Sequence, residues 1–154
     1  MARIDFHSQV NNKPLYSCRL IRKIMASPRE DLPIRNVVVV GSQDFLRQLD
    51  ELLWTFTATD FLPHAWGSDD FAPETPVVFV DSFEADELEY LPHGDVLIHV
   101  GRNLPKSVEA LAARFPRIVE IVSTDEADRQ AGRERYKAYR DQGHELHNFD
   151  QTGQ

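Results

Sequence analysis

Residues 37–41 read VVVVG, and the fold class turns on them. Four β-branched residues in succession leave no polar position to face water, so the strand they form is covered on both sides. PVVFV at 76–80 and DVLIHVG at 95–101 repeat the signature. RIVEIV at 117–122 adds a last strand, and RIDFH at 3–7 alternates as a first one. The segments between them change period. PLYSCRLIRKIMAS at 14–27 sets Pro14 at a helix start and brings Cys18, Ile21 and Met25 onto one face. Beyond Gly41, Ser42 can cap a helix in which Phe45, Leu49, Leu52 and Leu53 fall at helical spacing. LPKSVEALAARF at 104–115 turns Val108, Leu111 and Ala112 inward, and Thr124 opens a final helix. SPREDLPIRN at 27–36 reads as a loop, residues 55–75 show neither period, and an acidic stretch joins the strands at 76–80 and 95–101.

Strands that alternate with helices imply right-handed crossovers and parallel pairing. The expected fold is therefore one α/β domain of the Rossmann-like type, a mostly parallel central sheet covered by helices on both faces. The body is expected to span residues 1–143, with HELHNFDQTGQ at 144–154 a C-terminal tail of uncertain order.

Composition narrows the function. The chain has 154 residues, enough for one core, and a formal charge of -8. An acidic surface is a poor general binder of nucleic acid, so any anion recognition has to be local. No apolar run approaches the length of a membrane span, and no apolar export core follows the N-terminus, so a cytoplasmic location is expected. The single Cys18 cannot form an internal disulfide or supply a thiolate zinc cluster.

Catalytic signatures are thin. Gly41-Ser42 and Gly101-Arg102 follow strands, where an α/β sheet places nucleotides, but neither has the further glycines of a dinucleotide turn or the Gly-Lys-Ser/Thr end of a phosphate loop. His144 and His147 lie at a polar terminus without an obvious carboxylate, so no metal site is expected. Asp60 and His64 could pair as acid and base but have no nucleophile beside them. His99 reads as a hydrogen-bonded core residue, and Cys18 as a small hydrophobe. The expectation is a non-catalytic protein without a cofactor. The rival is a small nucleotide-binding or phosphotransfer enzyme on the same fold.

Two stretches suit partners better. DRQAGRERYKAYR at 128–140 concentrates positive charge in an acidic chain. At 100° per residue, Arg129, Arg133, Tyr136, Lys137 and Arg140 fall within roughly 100° of one another. Ala127, Ala131 and Ala138 fall opposite and are expected to pack on the sheet. A solvated face at the negative end of the helix dipole explains only the last turn, so the stripe points to an anionic partner, a short acidic peptide or a terminal carboxylate. The second stretch holds Trp54, Phe56, Phe61, Trp66 and Phe71 where the chain lacks regular period. These rings either fold back as a lid on the sheet edge or form a protein interface, with Trp54 and Phe61 the favoured interface residues.

RERYKAYRDQG at 133–143, together with LDELLWTFTATDFLPH at 49–64, closely resembles the chi subunit of the bacterial DNA polymerase III holoenzyme. Length and order of elements agree over most of the chain. The resemblance implies a non-catalytic Rossmann-like subunit active in DNA replication. It would join the clamp loader through the small psi subunit and bind the acidic C-terminal tail of single-stranded-DNA-binding protein. Carried over by position, Arg133, Tyr136 and Lys137 correspond to tail-binding residues; Arg129 and Arg140 join them on the wheel argument. The resemblance places psi docking at Trp54 and Phe61, with Pro63 and His64 of the same motif. DNA would be contacted only indirectly, and no membrane is involved.

Overall fold

The computed structural model describes residues 2–26, 36–55 and 62–152. Among the described residues seven strands form one sheet: β1 (Arg3–Val10), β2 (Val37–Val40), β3 (His64–Trp66), β4 (Val77–Val80), β5 (Val96–His99), β6 (Arg117–Ser123) and β7 (Glu145–Asp150). Their spatial order is β3-β4-β2-β5-β6-β1-β7, and every pairing is parallel. The expected "mostly parallel" sheet is thus wholly parallel. The VVVV strand is buried at all four positions, flanked by β4 and β5.

Five α-helices among the described residues accompany the sheet: α1 (Lys13–Met25), α2 (Gln43–Thr55), α3 (Glu87–Tyr90), α4 (Val108–Arg114) and α5 (Glu126–Asp141). They divide between the two faces, as two apolar clusters show. Cys18, Ile21 and Ile24 of α1 and Leu46, Leu49 and Leu53 of α2 pack with Val37, Val39 and Ile98 on one face. Leu88 of α3, Leu111 of α4 and Tyr139 of α5 pack with Val38, Val40 and Leu97 on the other. The caps are local chemistry. Ser42 accepts a hydrogen bond from the Phe45 amide at 3.3 Å, Ser107 from the Ala110 amide at 3.1 Å, and Asp125 from the Asp128 amide at 3.2 Å. The last helix is therefore opened by Asp125, one residue beyond the expected Thr124.

Three expectations need correction. The segment from 144 was expected to be a tail, but Glu145–Asp150 forms β7, paired with β1 from Arg3↔Glu145 to Ser8↔Asp150. Gly143 makes that return possible. At φ 79° it ends α5, with its amide on the Arg140 carbonyl at 2.9 Å and the His144 amide on the Tyr139 carbonyl at 3.4 Å. Second, the aperiodic stretch 55–75 contains the edge strand β3 and a 3₁₀ turn at Ala72–Glu74. Third, α5 does not seat on its alanines. Its buried residues are Asp128, Gly132, Arg135 and Tyr139, which lie within about 60° on the helical wheel. The physical reason is Glu120 on β6, a fully buried carboxylate that draws Arg135 and Tyr139 beneath the helix.

Candidate functional site

The seat of α5 determines where its charges point. Tyr136 and Arg129 flank the buried face, Arg133 and Arg140 lie farther round, and Lys137 points away from the sheet. The structure accordingly brings three of the five stripe residues together. Arg129, Arg133 and Tyr136 line a groove of about 250 Å³ between α5 and the edge of the sheet, completed by Phe6, Ser8 and Gln9 of β1, Val122 of β6 and Asn148 of β7. Lys137 and Arg140 are exposed and stand outside it.

The groove has an apolar floor and a charged lip. The Tyr136 ring meets Phe6 edge-on with centroids 5.1 Å apart, which leaves it half-buried. Gly132 lets α5 approach: a Cβ there would sit 2.9 Å from a Val122 methyl. On the lip, Arg129 pairs with Glu126 at 3.3 Å and Arg133 with the same carboxylate at 3.7 Å. Arg140 pairs with Asp141 at 3.7 Å. Lys137 has no ion-pair partner among the described residues. Exposed pairs of this kind contribute little and exchange readily, so the two groove arginines can turn to another carboxylate.

Sequence reasoning missed the far wall of the groove. β1 carries an irregularity between His7 and Val10, and Gln9 within it adopts φ 58°. A left-handed conformation in a residue other than glycine costs about 1–2 kcal/mol, and such strain concentrates where a chain is aimed at a ligand. Ser8 then donates to the Asn148 side chain at 2.9 Å, which ties β1 to β7 at the groove.

Beneath α5 lies a charged cluster that the run of arginines concealed. Arg135, part of the basic run 128–140 but outside the expected stripe, is fully buried and donates to Glu120 at 2.8 Å. Tyr139 Oη donates to the other Glu120 oxygen at 2.9 Å, and His99 Nδ1 lies 2.7 Å from the first. Burial raises the Glu120 pKa, but Arg135, His99 and Tyr139 outweigh it and hold the carboxyl at about 2. Burial lowers the His99 pKa against the pull of Glu120, and burial together with Glu120 raises that of Tyr139. The visible signal was Glu120, a charge set among the apolar residues of RIVEIV.

The aromatic stretch is divided. Trp54 is 58% exposed at the end of α2, and its ring meets His64 edge-on at 5.5 Å. Pro63 is exposed, whereas His64 is buried, bonded to Asp50 at 2.7 Å and to the Leu62 carbonyl at 2.8 Å. His64 therefore props Trp54 from below, and its carboxylate partner is Asp50. Phe61, with Phe56 and Asp60, lies outside the described residues. Trp66 packs on Phe79, and Phe71 is exposed. Among the described residues no group of three His, Cys, Asp or Glu side chains is placed to hold a metal, and no helix is long and apolar enough to cross a membrane. His147 pairs with Glu145, and His144 accepts from the Ala2 amide.

A parallel sheet covered on both faces, whose last helix borders an apolar groove with a cationic lip, defines the class: a doubly wound α/β protein. The particular family follows from comparison. The sequence profile described as "DNA polymerase III chi subunit, HolC" matches residues 1–147. The "DNA polymerase III subunit chi" of Pseudomonas aeruginosa is 28% identical over 150 residues, covering 95% of this chain and 94% of that one. The chain belongs to the chi-subunit family of DNA polymerase III, as an accessory subunit of that polymerase.

Proposed function

We propose that this subunit links the clamp-loader side of the polymerase to single-stranded-DNA-binding protein by holding that protein's acidic C-terminal tail in the α5 groove. The supporting observation is the pairing of an apolar floor (Phe6, Val122, Tyr136) with a guanidinium lip (Arg129, Arg133) in one cavity. An apolar terminal side chain covers the floor, and the terminal carboxylate takes a two-pronged grip from guanidinium. Lys137 and Arg140, outside the groove, act on the acidic residues that precede the terminus. The contact is surface-exposed and exchanges quickly, and several tails on one oligomer raise its effective concentration. Trp54 and Pro63, together with Phe61, form the docking surface for psi.

Calorimetric titration with an Asp-rich peptide ending in an apolar residue and a free carboxylate tests the reading. Removing one groove cation, as in Arg133→Ala, should weaken binding ten-fold or more, given about 1.5–3 kcal/mol for a charge-assisted contact. Lys137→Glu should weaken it through repulsion, and amidating the peptide should hurt as much as losing Arg133. Added salt should weaken the charged part while the apolar part persists. Equal affinity of wild type, Arg133→Ala and Lys137→Glu for the peptide would rule the site out.

A further inference from the structure

The carboxyl ends of β2, β4, β5 and β6 enclose a second cavity of about 400 Å³, which shares no lining residue with the tail groove. It sits where the strand order reverses. From β2 the chain passes to the edge strand β3 and returns inward to β4 on one side, then crosses to β5 and β6 on the other. Such a switch point is where open parallel sheets receive ligands, and the volume lies within the roughly 300–1,000 Å³ of small-molecule sites.

The cavity is equipped beyond its position. His99 on its wall is 1% exposed, and its Nδ1 is committed to Glu120. A carboxylate can only accept, so Nδ1 carries the proton and Nε2 presents a bare lone pair. That Nε2 has no hydrogen-bond partner among the described residues. It lies beside Gly101 on the same wall, where a Cβ would come within 3.2 Å of it. Nε2 thus stands open to the cavity as an acceptor, which the tail-binding reading does not use.

We propose that this crevice binds a ribonucleoside monophosphate. Phe45 and Phe83 line it and supply apolar wall for a base; the Phe83 ring also packs on His99 with centroids 4.6 Å apart, and the Lys13 ammonium sits 5.7 Å from the Phe45 ring centroid. Asp81, an exposed carboxylate at the end of β4, accepts from ribose hydroxyls. The amides at the start of α2, beside Ser42 and Lys13, receive one phosphate. His99 Nε2 accepts from an amino or hydroxyl group of the ligand at the floor. The turn after β2 lacks the glycines that wrap a pyrophosphate, which limits the ligand to a single phosphate. Lys13 is paired with Asp128 at 2.9 Å, so the pocket is close to neutral and recognises the nucleoside as much as its charge.

Amide chemical shifts of the isotope-labelled protein, titrated with each of the four common ribonucleoside 5′-monophosphates, test this directly. At least one should saturate, with shifts centred on Ser42, Asp81 and Gly101. Asp81→Ala removes an exposed side chain that accepts a long 3.5 Å hydrogen bond from Gln43, and Gly101→Ala crowds Nε2. Each should weaken binding about ten-fold while the tail-peptide affinity of both variants stays at the wild-type value. Absence of saturable binding by all four nucleotides, or equal affinity of wild type and both variants, overturns the assignment. So does inorganic phosphate binding as tightly as the best nucleotide. These outcomes are independent of whether α5 binds the acidic tail.

Discussion

Replacing Arg135 with Met should be among the most damaging single changes available in α5, although in the sequence this arginine is one of several charges in the run 128–140. Arg135 and Glu120 are each fully buried and lie 2.8 Å apart. Methionine fills much of the volume, so the loss is electrostatic rather than steric. Without the guanidinium, the Glu120 carboxylate keeps only the hydrogen bonds from Tyr139 and His99. Stranding one partner of a buried pair costs about 3–5 kcal/mol, a large share of the roughly 5–15 kcal/mol that holds a domain together. Protonation of Glu120 limits the loss, because burial then drives its pKa up. Removing both charges in Glu120→Leu/Arg135→Met leaves the Tyr139 hydroxyl and the His99 N–H without an acceptor, at about 1–3 kcal/mol each. The double variant should therefore lose less than the sum of the two single ones. Urea denaturation followed by far-ultraviolet circular dichroism measures all three differences, at a slope of about 1–3 kcal/mol per molar. A loss below about 1 kcal/mol for Arg135→Met, or strict additivity in the double variant, would refute the claim that the pair seats the helix.

Two further outcomes follow from the geometry. Because Trp54 is 58% exposed, Trp54→Ala should leave the urea midpoint nearly unchanged yet weaken assembly with psi by about 1–4 kcal/mol; a large midpoint shift with unaltered assembly would make the ring structural. Stability should also fall with acidification in two stages. His99, held neutral, is destabilising once the unfolded chain takes a proton below 6.5, and Glu120, held at about 2 against 4.5 unfolded, adds its loss between those two values. Both contributions are complete above pH 6.5, so midpoints should be flat at neutral pH and decline steadily below it. A midpoint unchanged from pH 4.5 to 3 would contradict the ionised Glu120.

Much of the fold was legible because the central strands β2 and β4 are apolar throughout. Val37–Val40 and Val77–Val80 pair on both sides and admit no polar residue. β7 was not legible for the converse reason. ELHNFD pairs with β1 alone, its burial is partial at best, and nothing in it had to be apolar. β3 is only three residues long, too short to display a period. At the candidate site, the charges of α5 were visible but not the direction they face. Ala127, Ala131 and Ala138 imitated a packing face, while the true one is spaced as Asp128, Gly132, Arg135 and Tyr139. Hydrophobicity counts cannot recognise a buried face that contains an ion pair. The contribution of β1 was hidden too, since no local pattern announces the turn at Gln9 that aims Ser8 and Gln9 into the groove.

The pairing of β1 with β6 and β7 also sets an order of events during synthesis. Arg3 waits for Arg117 and then Glu145 before the first strand is held on both sides, and contacts so distant in sequence form late. As the chain leaves the ribosome at about 5–20 residues per second, its first strand stays unpaired while β2, β4 and β5 can already assemble. The groove takes Phe6 and Ser8 from that early segment and Tyr136 and Asn148 from the late one. A fragment stopped short of residue 148 thus carries much of the sheet but an open-sided groove, so the groove closes only once Asn148 has been made.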